Sequence, residues 1–466
     1  MIVHFKSATT LLALTLMAVS SAATALDVGF ELSARGALSD NVNQDNAGLE
    51  EEGQIANATI SLFGGQQSRR IRSGFLGEFG GRRAFAEEDD SDFLTVTRFF
   101  GSAEFQVTRQ FSWFIGDALG GSLVDNALNE SDETELFSNR RNVFITGPRF
   151  QFGLGARRTL AAEFFFIDNS DDSGEDLPEF YQADIEFNSD LGAGLSWGWE
   201  IGDIFVDNPD SSIEPDFNRL TAVISGARTR NANTWSGSIG ATRFEDTDGD
   251  GFAVNGFAGQ LRFDRVLGAG NTFFIQLQRA VVDDTLAATE SLIVDGDSRT
   301  PETAGVFNDT AFTIGQNITS GRRIINWNLG IGQDDFEAVV NDDGLFTTEN
   351  AAEEDQVRVF GGANLTQPLT FNLALGLGVD YEREEFTNTE EESESLQATV
   401  SLIYSVTTSF TATFTYIHDI QEGLDIEDGI PDITDQTENR IFISLLYAPP
   451  TRALKSEVVR LKSLLF

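Results

Sequence analysis

The chain contains no cysteine, which excludes disulfides, thiolate metal sites and cysteine nucleophiles. Proline is scarce, 9 in 466 residues, so extended segments run without interruption. Lysine occurs only at Lys6, Lys455 and Lys462, and histidine only at His4 and His418. No stretch approaches the roughly 18 consecutive apolar residues of a transmembrane helix. Positive charge as a whole is short: Lys+Arg 31 against Asp+Glu 74, a formal net charge of −43, argues against nucleic acid as a partner. Such acidity would suit a disordered chain, but 40 Phe and 44 Gly set in clear alternation would not.

What the sequence has is period two. In residues 369–382 the odd positions read Leu369, Phe371, Leu373, Leu375, Leu377, Val379 and Tyr381. The even positions read Thr370, Asn372, Ala374, Gly376, Gly378, Asp380 and Glu382. Neighbouring side chains of a strand point to opposite faces, so this is a strand with one aliphatic and one small or polar face. Lipid outside and water inside is the environment of a transmembrane β-barrel strand. The same unit recurs along the chain as strand, short turn, strand, long acidic loop. Short turns fall at 68–70, 109–110, 156–158, 229–233, 267–270, 320–323, 367–368 and 407–408, and long loops at 41–53, 124–137, 283–307, 335–354, 383–395 and 421–437. That alternation of loop length is the layout of outer-membrane barrels. The expected fold is all-β: a transmembrane antiparallel up-and-down β-barrel of about 20 strands, with 18 as the alternative, followed by a short C-terminal helical tail.

The ends set the expected organisation. His4 and Lys6 precede a short apolar core at 11–19, and Ala23-Thr24-Ala25 is a small-x-small cleavage site before Leu26. Residues 1–25 therefore read as a signal peptide, 26–447 as the barrel and 448–466 as an amphipathic tail with Leu454, Val458, Leu461 and Leu465 at helical spacing. The expected location is the outer membrane of a Gram-negative bacterium, with both termini periplasmic. Ile441, Ile443, Leu445 and Tyr447 alternate up to an aromatic, the form in which barrel-assembly machinery meets a last strand.

Candidate function follows from parity. Arg72, Arg82, Arg98, Glu163, Asp184, Glu186, Glu200, Arg219, Arg262 and Arg358 fall on expected lumen faces and are candidates for a pore lining. They would equally serve to cross-brace the wall. Arginines crowd the short turns and acids the long loops, so an anion-repelling outer rim and cation-preferring passage are expected. Asp246, Asp248 and Asp250 match the first half of a calcium loop, but the twelfth position is Phe257 where a glutamate belongs. Loop-bound calcium is the one cofactor considered, and no enzyme activity is expected. His418, beside Asp419, is the sole histidine a Ser–His–acid system in the barrel could use, which defines a barrel lipid hydrolase as the enzyme alternative.

The layout resembles the β-barrel porin 2 family, which includes outer-membrane proteins associated with exopolysaccharide or exosortase gene clusters. The residues that carry the resemblance are Ser39-Asp40-Asn41 at the end of the first strand, Trp113 and Asp117 in one strand, and Asn139 and Asn142 ahead of Gly147-Pro148. The resemblance implies a porin-like channel for small solutes or a pore associated with surface polysaccharide export, and it supplies no catalytic residues. The C-terminal tail departs from a barrel that ends on its last strand. The partners expected are outer-membrane lipid and lipopolysaccharide, the assembly machinery and polysaccharide export components. A structural or interaction barrel, whose acidic loops bind cations, polysaccharide or a partner, is the competing class.

Overall fold

The computed structural model describes residues 27–40, 53–68, 70–86, 94–120, 141–170, 178–207, 216–247, 253–283, 305–340, 346–347, 355–387, 392–427 and 430–449. The expected signal peptide lies outside them, as does the expected C-terminal tail beyond its first two residues. The strands are β1 (Asp27–Ser39), β2 (Gly53–Gln67), β3 (Ile71–Ala86), β4 (Leu94–Gln106), β5 (Phe111–Gly120), β6 (Arg141–Gly153) and β7 (Arg158–Ser170). They continue as β8 (Glu179–Gly192), β9 (Leu195–Asp207), β10 (Phe217–Arg230), β11 (Asn233–Asp246), β12 (Ala253–Gly268), β13 (Asn271–Asp283) and β14 (Gly305–Ser320). The chain completes with β15 (Arg323–Val340), β16 (Phe346–Thr347), β17 (Gln356–Pro368), β18 (Leu373–Phe386), β19 (Glu392–Ser405), β20 (Phe410–Glu427) and β21 (Ile430–Tyr447). Each wall strand pairs antiparallel with the next, and β21 returns to pair with β1. The two-residue β16 only pairs with the last two residues of β15. The wall is thus a closed 20-stranded barrel, the larger of the two expected counts.

Register shows which residues share a face. Leu375, Leu377 and Val379 of β18 stand opposite Leu402, Val400 and Ala398 of β19. On the other face Gly376 and Gly378 oppose Ser401 and Thr399. The aliphatic face is the exposed one, with Leu377, Val379, Val400 and Leu402 all at least 40% exposed. The same parity holds around the wall: Ile224 opposes Ile239, Leu261 opposes Leu277, and Leu329 opposes Gly361 on the outside. An apolar outer surface of this extent is stable only against lipid.

Gly147 shows how aromatics and glycines fit together. It lies on the inner face of β6, opposite Phe114 of β5. The rings of Phe114 and Phe165, two strands apart, meet edge-on over it at 5.9 Å between centroids. A Cβ at position 147 would run into the carbonyl oxygen of Phe164. The tight turns need backbone freedom elsewhere: Gly270 and Gly321 carry φ of 71° and 62°, a region costly for side-chain-bearing residues.

Closure is reinforced at one level of the β1–β21 seam. Ser39, Glu438, Arg440 and Asp419 are buried together on the inner face. Arg440 reaches Asp419 at 2.9 Å and Glu438 at 3.5 Å, while the Ser39 hydroxyl donates to Glu438. Beside them Asp40 accepts the backbone N–H of Asn439 at 2.6 Å and its side-chain amide at 2.7 Å.

Several expected boundaries move, among them the loop expected at 383–395, where β18 runs to Phe386 and β19 begins at Glu392. The strand expected at 369–382 begins at Leu373, because β17 continues through Gln367 and Pro368 and the chain reverses at 369–372. Proline is tolerated there because it is the last residue of the strand, and the Thr370 hydroxyl accepts from Asn372 N–H within the turn. The loop expected at 421–437 is mostly strand: β20 and β21 pair out to Glu427 and Ile430. The loop at 335–354 likewise begins as β15, which runs to Val340. Polar residues sustain these extensions because ladder pairing uses backbone groups and needs no apolar face in water.

Gly147→Ala is expected to lower the unfolding free energy of the vesicle-embedded protein by about 1–3 kcal/mol. Gly36→Ala, where an added Cβ meets nothing within 4 Å, serves as control. Equal urea midpoints for the two variants would contradict this account of β6–β7 packing.

Candidate functional site

The ten candidate lining residues all fall on the inner face by register. Arg72 stands opposite Glu104, 4.0 Å away. Arg82 and Arg98 share that face through their partners Asn57 and Glu78; their side chains lie outside the described set. Glu163 opposes Asp184, and Glu186 opposes Glu200, so β7, β8 and β9 bring four carboxylates to one sector. Arg149, which sequence reading passed over, bonds Glu163 at 2.6 Å. Arg219 lies opposite Phe244 on β11 and Ile204 on β9.

Arg262 and Arg358 are joined by a continuous polar ladder across β12–β17. The Arg262 Nε donates to both Asp264 carboxylate oxygens, at 3.1 and 3.0 Å, and its Nη1 donates to Gln276 at 2.9 Å. Gln276 donates to Gln278 at 2.7 Å, and Gln278 to Asp309 at 3.3 Å. Arg358 then bridges Asp309 at 2.9 Å and Asp334 at 2.7 Å, and Gln356 closes on Asp334 at 3.0 Å. Asp334 is only 2% exposed, so its charge depends on Arg358. Gln276, Gln278, Asp309 and Asp334 carry the same inward parity as the two arginines, and that parity is the signal that could have found them.

One feature of the lumen reverses the expectation of a polar inner wall. At the long-loop end, the inner face of β5–β12 is apolar: Ala118, Val143, Ile167, Phe180, Val206, Phe217, Phe244 and Val254 are 0–9% exposed. Phe217 and Phe244 touch at 4.7 Å between centroids. Part of their cover comes from the wall itself. Pairing of β12 with β13 stops at Gly259 and Arg279, although the two strands reach on to Ala253 and Asp283. Beyond that split Val281 of β13 occupies the space over the inner face of Gly256. Val306 of β14 is fully buried in the same apolar cluster as Val254 and Phe244. The tips of β13 and β14 therefore lean inward across the mouth and cap its apolar sector. Opposite them, β15–β21 present the Asp334–Arg358 and Arg440–Asp419 clusters.

The histidine candidate is separated from its acid. His418 and Asp419 fall on opposite faces: His418 pairs with Asn439 on the outer face, its Nδ1 2.9 Å from the Asn439 amide oxygen, while Asp419 bonds Arg440 inside. A triad through His418 and Asp419 is incompatible with that parity. Asp246 ends β11, and Asp248 and Asp250 lie outside the described residues, among which no carboxylate–histidine group suited to a metal occurs. At the rim, Asp355 accepts Phe336 N–H at 2.7 Å. Burial pushes its carboxyl above the ordinary value; Asp335 adds to the rise and the Phe336 N–H opposes it.

The chain matches no protein-family profile, so the porin 2 resemblance gains no support, and it matches no curated protein sequence. Among solved structures it resembles the siderophore receptor PirA from Pseudomonas aeruginosa, at 12% identity and a TM-score of 0.51 over 90% of this chain and 80% of that one. It also resembles the ferric enterobactin receptor PfeA from the same organism, at 10% identity and a TM-score of 0.54 over 91% and 82%. A third, the FrpB iron transporter from Neisseria meningitidis, stands at 9% identity and a TM-score of 0.50 over 90% and 82%. The likeness is one of fold, shared with outer-membrane receptor and transporter barrels.

Arg358→Met strands Asp309 and Asp334 opposite each other without their shared cation. Stability is expected to fall by about 3 kcal/mol, and adding Asp334→Leu should recover part of the loss. Urea unfolding in vesicles reads both changes. A single variant as stable as the parent would show that the ladder carries no load.

Proposed function

We propose that the protein is an outer-membrane transport barrel that passes small hydrated solutes, preferring cations, through a mouth narrowed by the β13–β14 cap. The observation that carries this reading is the sorting of the wall: a closed sheet with an aliphatic exterior and a charged interior. A barrel of this strand number has room for an aqueous lumen, as porins of about 16–18 strands do. The carboxylate sector of β7–β9 and the net charge of −43 favour cations over anions. In this reading the short turns face the periplasm and the long acidic loops face outward, the orientation usual for such barrels.

The continuous ladder from Asp264 to Gln356 favours a second role for part of the lining. Side chains bonded to one another along the wall brace it, leaving the carboxylates of β8 and β9 to meet the solute.

Planar-bilayer recording under a potassium chloride gradient tests the proposal. The parent protein is expected to give a small conductance with a cation-selective reversal potential. Val281→Asp, which places a charge against the apolar sector, is expected to raise that conductance severalfold by dislodging the cap. Membranes that stay sealed with both proteins, each shown to be folded, would overturn the channel reading.

A further inference from the structure

The short-turn end of the barrel carries positive charge that neither the fold nor the lumen uses. Arg158, Arg228, Arg230, Arg265 and Arg323 sit at the strand ends there, on the lipid-facing parity. Arg228 stands opposite Trp235, and Arg265 opposite Phe273. Arg70, Arg109, Arg157 and Arg322 occupy the adjoining turns. All of these side chains are exposed, and among the described residues none forms an ion pair with a carboxylate. Arg322 instead lies over the Phe371 ring at 4.4 Å and donates to the Phe371 carbonyl at 2.8 Å. In a chain with 74 acids and 31 basic residues, nine arginines at one end, with Asp190 beside Arg157 as the acid of those turns, are a local reversal of the overall charge.

Aromatic residues occupy the same level. The five tryptophans, Trp113, Trp197, Trp199, Trp235 and Trp327, are each the third or fifth residue of a strand leaving a short turn. All five share the outer parity, with Trp199 opposite Ile224 and Trp113 opposite Phe105. Tryptophan at a strand end on the lipid face marks the membrane–water interface. Guanidinium groups beside it lie at the depth of lipid phosphates, which they bind in bidentate geometry. A soluble acidic partner would meet the four turn arginines, but not the five on the lipid-facing parity.

We infer that this arc of arginines is a binding surface for the phosphodiester headgroups of anionic phospholipid, enriching such lipid in the leaflet around the short-turn end. The assignment of that leaflet to the periplasmic side rests on the orientation given above; binding itself does not.

The placement of the tryptophans supplies the assay, because all intrinsic tryptophan fluorescence arises beside the arginine arc. The protein would be folded into symmetric vesicles of phosphatidylcholine with a minor fraction of phosphatidylglycerol, with one lipid or the other brominated near the glycerol. At equal mole fraction, brominated phosphatidylglycerol is expected to quench as if locally enriched about twofold, and the enrichment should shrink as salt is raised. Combined Arg158→Gln, Arg228→Gln, Arg265→Gln and Arg323→Gln substitution is expected to abolish the difference, and lysine at the same positions to retain part of it. Symmetric vesicles make the result independent of orientation, which protease digestion of the long loops from outside reports separately. Equal quenching by the two lipids in the parent protein, at low and high salt, would overturn the inference.

Discussion

Backbone hydrogen bonding inside a membrane is the constraint on which the rest of this structure depends. In hydrocarbon no water replaces a lost partner, so every strand must have a neighbour on both sides. The sheet meets that demand only because Leu32–Ser39 of β1 accept pairing with Arg440–Tyr447 of β21. Closure then fixes parity around the ring, since a slip of one residue would turn every aliphatic side chain into the lumen. Ser39 bonds the buried Glu438 across that seam and Arg440 bonds the buried Asp419 across the next, so a slipped register is costly because buried charge would lose its partner.

From that closure follow an exterior and an interior with different chemistry. The exterior needs only size and apolarity, which Leu, Ile, Val and Phe supply interchangeably. The interior is differentiated. One sector is a hydrogen-bonded ladder, another a set of carboxylates, and the far end an apolar layer under the tips of β13 and β14. The split beyond Gly259 and Arg279 makes the cap possible: two strands that stop pairing are free to part, and the released tip buries Val281 and Val306. The tip stays paired through β14 to β15, so apolar contact takes the place of ladder bonds only along its β12 edge.

Much of this was legible in the sequence, and the reasons can be given residue by residue. Alternation in 369–382 identified the two faces because parity is a local property, and the structure keeps it from Leu373 onward. The strand count emerged from the rhythm of short turns and long loops. The turn at 369–372 was missed because Pro368 looks like a breaker and is tolerated at the end of β17. The extensions of β20 and β21 were missed because polar residues paired in water leave no hydrophobic signature. The candidate lining residues were placed on the correct face by counting alone. Their partners were not, since Arg358 meeting both Asp309 and Asp334 depends on register between strands that no single segment encodes. The apolar layer was hidden for the opposite reason: Phe217 and Phe244 fit an outward face by composition and an inward one only by pairing.

The central claim is that one parity of the wall faces lipid and the other faces water. Because the chain has no cysteine, single cysteines along β19 give a clean test. In vesicles, cysteines at Gln397, Thr399 and Ser401 should react with a water-soluble thiol reagent. Those at Ala398, Val400 and Leu402 should resist it, yet yield to a lipid-soluble one. Reversed parity, or labelling without alternation, would contradict the account.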